Sequence, residues 1–315
     1  MNFKKLNLKN FSKSLKITLI IAFGIFLIVF GIFIIYKKTK RTQSYKIVQI
    51  MGGLGNQLFQ YAFGVALRKK LNCDVFYEKN FFDNQVRSEN GSCYRNYGLG
   101  FYNTHIKFAN ENQIENCFKI PEEELRKHDI LYFKNNKNEH LLGYFQKVNY
   151  FEDFRIELLK DLKLKIPLDK KNKTMMKMIE KTKSVSVHIR RTDYLNFKDT
   201  FEIPGLESYY YPAMEKIAQI IHDPTFYIFT DSIDWVKENF KTSYKYFIVD
   251  INDDSKNYFD LELMRKCKHN IIANSTFSWW GAWLNTNEDK IVISPKVWFV
   301  NNDFGDIIPK SWIRM

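Results

Sequence analysis

Hydrophobic residues in this chain form one long uninterrupted run, followed by many short ones. The long run extends from Ile17 to Tyr36 and contains no charged residue. As a helix rising 1.5 Å per residue it would be about 30 Å long, which matches the hydrocarbon core of a bilayer. We therefore predict a transmembrane anchor at 17–36, between a basic tail at 1–16 and a linker at 37–46. A secretory signal peptide is the alternative. The apolar region of a signal peptide is usually shorter and is followed by a small-x-small cleavage site, which is not found after this segment.

The short runs after residue 44 are rich in β-branched and aromatic residues, and most of them precede a stretch with helical periodicity. This alternation predicts an α/β fold with parallel sheets. A polar stretch at 168–183 is the best place to divide it into two domains, 47–175 and 176–315. The predicted strands are Tyr45–Ile50, Ser184–His188, Thr225–Phe229, Tyr246–Val249, Asn270–Ala273 and Lys290–Ile293. The predicted helices are Gln57–Leu71, Ser232–Phe240, Tyr258–Lys266 and Phe277–Leu284.

The net charge of +13 suggests a nucleic-acid-binding protein, but its distribution along the chain argues against one. Residues 1–46 contain ten Lys and Arg and no acidic residue, which leaves an excess of only three positive charges in the rest of the chain. A broad basic face on the folded part is therefore not expected, and we predict no nucleic-acid partner.

Five positive charges precede the long apolar run and five follow it, so the positive-inside rule does not orient the anchor.

Cysteines and glycosylation triplets do not fix the compartment. No C-x-x-C pair occurs, so a zinc site is not expected, and we predict no metal ligands. Glycosylation of Asn90 or Asn172 would require a lumenal domain. The four cysteines are Cys73, Cys93, Cys117 and Cys267, and the remaining N-x-[ST] triplets begin at Asn10 and Asn274.

Glycines follow the first predicted strand, at the carboxyl end where parallel α/β sheets bind ligands. The segment GGLGN, Gly52 to Asn56, contains three glycines that would let the chain turn sharply and let a ligand approach closely. Asn56 would lie at the start of a helix as a neutral donor. The alternative is a Gly-rich turn with an Asn N-cap. The segment is not a dinucleotide fingerprint, because Leu58 stands where the third glycine of G-x-G-x-x-G would be.

Two arginines, Arg190 and Arg191, follow the strand that ends at His188. A guanidinium is always charged and can bind phosphate through two parallel hydrogen bonds, so this pair suits a diphosphate. Only one of two consecutive side chains in an extended segment faces a given cleft. We therefore expect the other arginine to pair with a carboxylate, of which Asp193 is nearest in sequence. Alternation places His188 on the same face as Arg190, either as a base or as a buried structural histidine.

Carboxylate and hydroxyl side chains follow two further strands. Either Asp231 or Ser232 caps the next helix, or Asp231 contacts a sugar or base edge. Asn274, Ser275 and Thr276 precede an aromatic helix. Hydroxyls and backbone N–H groups at a helix start form an anion pocket, and an ordinary Ser/Thr N-cap is the alternative.

Taken together, these segments resemble one enzyme family from about Lys46 to the C-terminus. The sequence is similar to the bacterial-type α-1,2-fucosyltransferases of glycosyltransferase family 11, although bacterial members commonly lack an N-terminal anchor. The segments that carry the resemblance are VQIMGGLGNQLFQYAFG (Val48–Gly64), GYFQ (Gly143–Gln146), VHIRRTDY (Val187–Tyr194), FTDS, IIANSTFSWWGAWL (Ile271–Leu284) and ISPKVWF (Ile293–Phe299).

The resemblance implies a GT-B-like fold of two facing Rossmann-like α/β domains. It implies GDP-fucose as donor, a glycan with a terminal galactose as acceptor, and inversion without a metal or cofactor. The absence of an Asp-x-Asp pair agrees with the last point. Arg190 would bind and stabilise the departing diphosphate, Asp193 would hold that loop or contact the nucleotide, and Asn56 would face fucose and acceptor. The other implied binding residues are Gly53, Gly55, His188, Asp231, Asn274, Ser275 and Thr276.

Other functions are compatible with the same residues. One is a fucosyltransferase of another linkage or acceptor, or an enzyme that uses another GDP-sugar. Another is a membrane-anchored carbohydrate-binding protein that has lost turnover. With the anchor we expect a single-pass membrane protein whose bilayer contact is residues 17–36. The short leading tail resembles Golgi transferases of type II topology, and a bacterial inner-membrane anchor is the alternative.

Overall fold

A computed structural model describes residues 18, 20–30, 44–85, 94–196, 199–200, 202–300 and 307–315. The side chains of Asp193 and Asn196 lie outside this description. The chain divides into two units, Met1–Ser44 and Tyr45–Met315. Of the cysteines, Cys73, Cys117 and Cys267 are free thiols, and Cys93 lies outside the described residues.

The N-terminal unit is described at 18, 20–30 and 44, and the chain is helical at 18 and 20–30. Its apolar side chains are exposed; Ile20, Phe23 and Phe26 expose 61% to 71% of their surface. Within the described residues we find no helix that is both long enough and apolar enough to span a bilayer. The predicted anchor is therefore not shown, and Ile17, Leu19 and 31–36 of that segment lie outside the description.

The first sheet of the larger unit has four parallel strands in the order β2-β1-β4-β3. The strands are β1 (Tyr45–Gln49), β2 (Asp74–Glu78), β3 (Phe118–Pro121) and β4 (Glu139–Leu142). Its helices are α1 (Leu54–Leu71), α2 (Asn80–Asp83), α3 (Glu111–Glu115), α4 (Glu122–Arg126) and α5 (Arg155–Asp161). Short 3₁₀ turns lie at Leu99–Phe101, Ile130–Phe133, Val148–Tyr150 and Glu152–Phe154.

The second sheet has six parallel strands in the order β10-β9-β8-β5-β6-β7. The strands are β5 (Ser184–Ile189), β6 (Thr225–Thr230), β7 (Tyr246–Ile248), β8 (His269–Ile271), β9 (Val292–Ser294) and β10 (Ile313–Arg314). Its helices are α6 (Lys170–Glu180), α7 (Tyr211–Ile220), α8 (Ile233–Asn239), α9 (Asn257–Lys266) and α10 (Thr276–Leu284). A π-helical turn at Leu206–Tyr210 leads into α7, and 3₁₀ turns lie at Asp193–Asn196 and Asp254–Lys256.

The α/β fold with parallel sheets is confirmed, and two such sheets agree with the GT-B-like organisation that the resemblance implies. All six residues of β5 are buried, as expected for a central strand covered on both faces. Four strands, β2, β3, β4 and β10, were not predicted, because each is short and charged residues flank or interrupt its apolar pattern. Glu139 in β4 is buried only because Lys46 in β1 pairs with it at 2.7 Å. The division into 47–175 and 176–315 stays a prediction; its boundary falls inside α6.

Aromatic side chains join the helices that follow β1 and β8. Phe59 of α1 packs on Trp279 and Trp280 of α10, with ring centroids 4.6 and 5.1 Å apart. Phe151 stacks on Trp280 at 5.5 Å, and these rings belong to one buried core. Because α1 and α10 are in contact, the carboxyl ends of β1 and β8 lie close together.

Candidate functional site

The carboxyl ends of strands from both sheets open onto one cleft of about 780 Å³. All predicted site residues whose side chains are described line it. The side chain of Asp193 lies outside the described residues, so the role of Asp193 stays a prediction. The predicted residues that line the cleft are Gly53, Gly55, Asn56, His188, Arg190, Asp231, Asn274, Ser275 and Thr276.

The three glycines after β1 have different structural roles. Gly52 adopts a φ of +76°, in the region that favours glycine, and makes the sharp turn. Gly53 is the N-cap residue of α1, and a Cβ there would have its nearest neighbour, Arg95 Nη1, 4.0 Å away. A Cβ at Gly55 would lie 2.5 Å from backbone atoms of Thr276 and Phe277. The start of α10 therefore approaches Gly55 closely, in the place where the sequence predicts a ligand.

Asn56 connects three segments around the cleft. Its Oδ1 accepts hydrogen bonds from Thr276 Oγ1 and from Gln146 Nε2, both at 3.0 Å. These two donors fix the orientation of the amide, so its Nδ2 points away from them. No described residue accepts a hydrogen bond from that Nδ2. Asn56 is therefore held as a donor at the cleft, and the N-cap alternative is wrong because Gly53 occupies that position.

Gln57 and Gln60, the polar residues that follow Asn56, hold the surrounding loops. Gln57 is fully buried and donates to the carbonyls of Gly52 and Asn96 at 2.9 and 2.8 Å. Its Oε1 accepts from the N–H of Gly98 at 2.8 Å. Gln60 bonds to Met51 N and Gly143 O in the same manner. These glutamines thus satisfy buried backbone groups of irregular segments that no strand or helix could pair.

Asp231 organises the loop that carries the two arginines. Its carboxylate accepts from Arg190 Nε at 3.1 Å and from the backbone N–H of Arg191 at 2.9 Å. It also accepts from the N–H and the hydroxyl of Thr192, at 3.1 and 2.5 Å. Of the two capping candidates, Ser232 occupies the N-cap position of α8, although its side chain makes no capping bond, and Asp231 does not. The carboxylate instead stabilises the chain after β5, where it leaves the sheet.

The two arginines have separate surroundings. Arg190 lines the cleft, is 19% exposed and lies beside both Asp231 and the ring of Tyr194. The guanidinium of Arg191 stacks 3.5 Å from the ring centroid of Trp235. The predicted partner of the second arginine, the Asp193 side chain, lies outside the described residues, so that ion pair stays a prediction. Arg190, the arginine that lines the cleft, is itself paired with the carboxylate of Asp231.

His188 is buried where β5 ends, beside the start of α10. Its Nδ1 lies 2.8 Å from Ser278 Oγ, which itself donates to the carbonyl of Ser275 at 3.3 Å. This contact agrees with the structural alternative, in which His188 holds the first turn of α10. His188 also lines the cleft, so its role as a base stays a prediction.

The N-terminus of α10 faces the cleft. Thr276 Oγ1 donates to Asn56, so this hydroxyl is engaged, while the Ser275 side chain makes no capping bond. Asn274 is buried, and its Nδ2 donates to the carbonyls of Glu202 and Trp298 at 2.8 and 3.1 Å. Tyr194 donates to the Asn274 carbonyl at 2.8 Å. The backbone N–H groups of this turn thus remain the anion-binding groups that a helix start supplies.

A polar wall beside β7 was missed by the sequence analysis. Asn252 donates to Asp260 Oδ1 at 2.7 Å, and both residues line the cleft with Asp253 and Asp254. Burial raises the pKa of Asp260 to about 7, and the two neighbouring aspartates add to the rise, whereas the Asn252 bond opposes it. The signal in the sequence was Asn252-Asp-Asp-Ser255, which follows a predicted strand but was not analysed as a strand end.

A turn at Gly143–Gln146, after β4, was quoted only as part of the resemblance. Tyr144 and Gln146 line the cleft, while Phe145 is buried with a φ of +51°. Glu122 accepts from the backbone N–H groups of Tyr144 and Phe145 at 2.8 and 3.2 Å. This turn follows a strand of the first sheet, whereas Arg190 and α10 follow strands of the second.

Comparison with known proteins identified similar sequences. The model of the family described as "Glycosyl transferase family 11" matches residues 101–314. The O-antigen biosynthesis glycosyltransferase WbnK of Escherichia coli is 31% identical, with coverage of 84% of this chain and 99% of that protein. An alpha-1,2-colitosyltransferase of Escherichia coli is 32% identical, with coverage of 86% and 99%. Among solved structures, fucosyltransferase NodZ from Bradyrhizobium matches with a TM-score of 0.48 and 12% identity, covering 76% of this chain and 92% of that one.

Proposed function

Because the chain belongs to glycosyltransferase family 11, we propose that it transfers L-fucose from GDP-fucose to a galactose hydroxyl at the end of a glycan. The protein is a glycosyltransferase; the donor, the acceptor and the α-1,2 linkage are our proposal. The observation that carries it is the meeting of Arg190 with the N-terminus of α10 at one wall of the cleft.

This wall suits a departing diphosphate. Breaking the bond between the sugar's anomeric carbon and the phosphate oxygen leaves GDP with an additional negative charge. Arg190 supplies a permanent positive charge, and the helix start supplies backbone N–H donors together with the positive end of the helix dipole. Groups fixed in advance against a developing charge are usually the largest contribution to catalysis. Asp231 holds Arg190 in that position through Nε.

The acceptor reacts from the other side of the sugar. In an inverting transfer, the acceptor oxygen forms a bond to the anomeric carbon opposite the departing phosphate and loses its hydroxyl proton. Asn56 lies between the α10 start and the wall of the first sheet, and its Nδ2 has donor capacity there. We propose that Asn56 contacts the sugars as they meet. The charge on the diphosphate is then balanced by protein groups, and we propose that no metal is required.

Colitose is a second candidate for the transferred sugar. The relative at 32% identity is named an alpha-1,2-colitosyltransferase, and it is covered over 99% of its length. Arg190 and the start of α10 would hold the diphosphate of either GDP-sugar in the same way. The donor assay below therefore includes both.

We further propose that residues 17–36 anchor the chain in a membrane. The support is the charge-free sequence and the exposure of the described side chains at 20–30. Membranes from cells that express the full chain would be extracted with alkaline carbonate. Retention of the protein in the pellet is the expected result, and complete release into the supernatant would contradict the anchor.

The proposed reaction is tested with the full chain in mild detergent. It would be incubated with GDP-fucose, GDP-colitose or GDP-mannose and with lactose, with and without EDTA. We expect GDP release from GDP-fucose that depends on lactose, is insensitive to EDTA, and gives a 2-linked product. Release from GDP-colitose alone would establish the second candidate. Binding of GDP without transfer in any combination would favour the carbohydrate-binding alternative.

A further inference from the structure

The turn at Gly143–Gln146 has a backbone conformation that is stable only because of the packing and hydrogen bonds around it. Phe145 has a φ of +51°, which is unfavourable for a bulky side chain and costs on the order of 1 kcal/mol or more. Its ring is buried and stacks on Phe63 with centroids 4.1 Å apart and planes 12° apart. Such strain persists where packing and hydrogen bonds fix the conformation, and it is concentrated at functional sites.

Glu122 supplies those hydrogen bonds. Its two carboxylate oxygens accept from the N–H groups of Tyr144 and Phe145, and Oε1 also lies 3.3 Å from Arg126 Nη2. Both oxygens are therefore engaged in holding the turn. The anchored ring of Phe145 on one side and the carboxylate on the other define where the neighbouring side chains point.

Tyr144 and Gln146 are the side chains that this turn directs to the cleft. Gln146 bonds to Asn56 and so joins the network at the start of α10. Tyr144 is 38% exposed although it lies in a concave site, and no described residue hydrogen-bonds to its hydroxyl. A strained, well-supported turn thus presents to the cleft an aromatic ring and a hydroxyl to which no described residue hydrogen-bonds.

The ring of Tyr144 is close to the Asn56 amide. The point where a Cβ of Gly52 would stand is 3.4 Å from Tyr144 Cε1 and 2.9 Å from Asn56 Nδ2. Asn56 in turn bonds to Thr276 at the start of α10. Tyr144 therefore lies one residue away from the wall that suits the diphosphate, on the side of the first sheet.

We propose that Tyr144 is the platform on which the acceptor sugar packs. This inference rests on the proposed function and assigns the acceptor position within the same cleft. The C–H face of a galactoside would lie on the ring, and a sugar hydroxyl would bond to the phenol. An aromatic ring with a polar tip provides both kinds of contact.

Steady-state kinetics of Tyr144→Ala and Tyr144→Phe test the proposal, with lactose as acceptor. We expect Tyr144→Ala to raise the KM for lactose roughly tenfold, while the KM for the GDP-sugar and the affinity for GDP stay within about twofold. Tyr144→Phe retains the ring and should restore most of the loss. Tyr132→Ala is the matched control, because that tyrosine is 57% exposed but does not line the cleft.

An unchanged KM for lactose in Tyr144→Ala would overturn the proposal, as would an increase confined to the KM of the GDP-sugar. If the wild-type chain transfers no sugar from any donor, the proposed function fails first. Saturation-transfer NMR with methyl β-galactoside then tests the subsite alone. Binding to the wild type that is lost in Tyr144→Ala supports the platform, and equal binding to both, or binding to neither, rejects it.

Discussion

Arg190 acts at the scale of a single residue, and its neighbour provides an internal comparison. Arg190 lines the cleft, whereas Arg191 stacks on Trp235 and is not among the cleft residues. We expect Arg190→Ala to lower kcat by a factor on the order of 10²–10³, by analogy with the loss of an oxyanion donor. Arg191→Ala should lower it less than about tenfold. Asp231 keeps three hydrogen bonds to the loop in Arg190→Ala, so the fold should persist.

Circular dichroism and GDP affinity would accompany the rates of these two variants. Near-normal turnover of a folded Arg190→Ala variant would remove the diphosphate role assigned to this side chain. Equal losses in both variants would point to the loop as a whole.

Asp260 makes the free energy of unfolding depend on pH, and this contribution can be assigned to one residue. Its folded-state pKa is raised to about 7, from an ordinary value of 3.8. Between these values the folded state binds more protons than the unfolded state, so stability falls as pH rises through this window. Asp260→Asn keeps an oxygen that can accept from Asn252 but removes the charge. At pH 8 the variant should be more stable than the wild type by roughly 1–3 kcal/mol.

Urea unfolding at pH 5 and pH 8 measures this difference. The advantage of Asp260→Asn should shrink at pH 5, where the wild-type carboxyl is already protonated. Lys290 also titrates near neutrality, since burial lowers its pKa to about 7, but both proteins share that contribution. An advantage that is the same at both pH values would contradict the assignment.

At the scale of elements, the contact between α1 and α10 decides the geometry of the cleft. Gly55 touches the backbone at Thr276 and Phe277, whereas a Cβ at Gly53 would have its nearest neighbour 4.0 Å away. Gly55→Ala must therefore push the two helices apart. We expect it to destabilise the fold by roughly 1–3 kcal/mol and to weaken GDP binding. Gly53→Ala should leave the free energy of unfolding within about 0.5 kcal/mol of the wild type.

Chemical denaturation of both glycine variants tests this contact, with GDP affinity as the second readout. Two equally stable variants would show that the helices adjust without cost. A destabilised Gly53→Ala would show that the start of α1 is tighter than its geometry indicates.

The side chains of Lys290 and Arg155 bond to the far end of α10, and Arg155 brings a permanent positive charge there. Lys290 donates to the carbonyls of Ala282 and Asn285, both at 2.8 Å. Arg155, from α5, donates to the carbonyls of Trp283 and Asn285 and lies over the ring of Trp283. Positive charge at a C-terminus complements the helix dipole, whose positive end faces the cleft. An element of the first half of the chain thus supports the helix whose N-terminus forms the anion site.

At the scale of the molecule, the two sheets share one core. The buried cluster that contains Phe59 and Phe151 also contains Trp279, Trp280 and Val292. We therefore expect the unit Tyr45–Met315 to unfold in a single cooperative transition, because neither sheet can keep that core when the other unfolds. Calorimetry should give equal calorimetric and van't Hoff enthalpies, and GDP should shift the whole transition upward. Two resolved transitions would instead support independent domains.

Much of the fold could be predicted from the local pattern of apolar and polar residues. Short runs without charge, such as Ser184–Ile189, are buried on both faces, so they predict central parallel strands without knowledge of their neighbours. Parallel strands present all their carboxyl ends at one edge, so the polar residues that follow them could be assigned to a common site. That is why Asn56, Arg190 and Thr276 were predicted together, and the structure places all three on one cleft.

The sequence by itself determined the α/β class, most strands of the second sheet and the residue types at their carboxyl ends, because these depend on periodicity and on short segments. Only the tertiary structure decided which groups meet. Asp231 reaches Arg190 because β5 and β6 pair in a register that aligns Ile189 with Thr230. Gly55 meets Thr276, and Tyr144 faces the cleft, because helices and turns far apart in the chain pack on one core. Such contacts depend on register and packing between segments, which neither segment encodes alone.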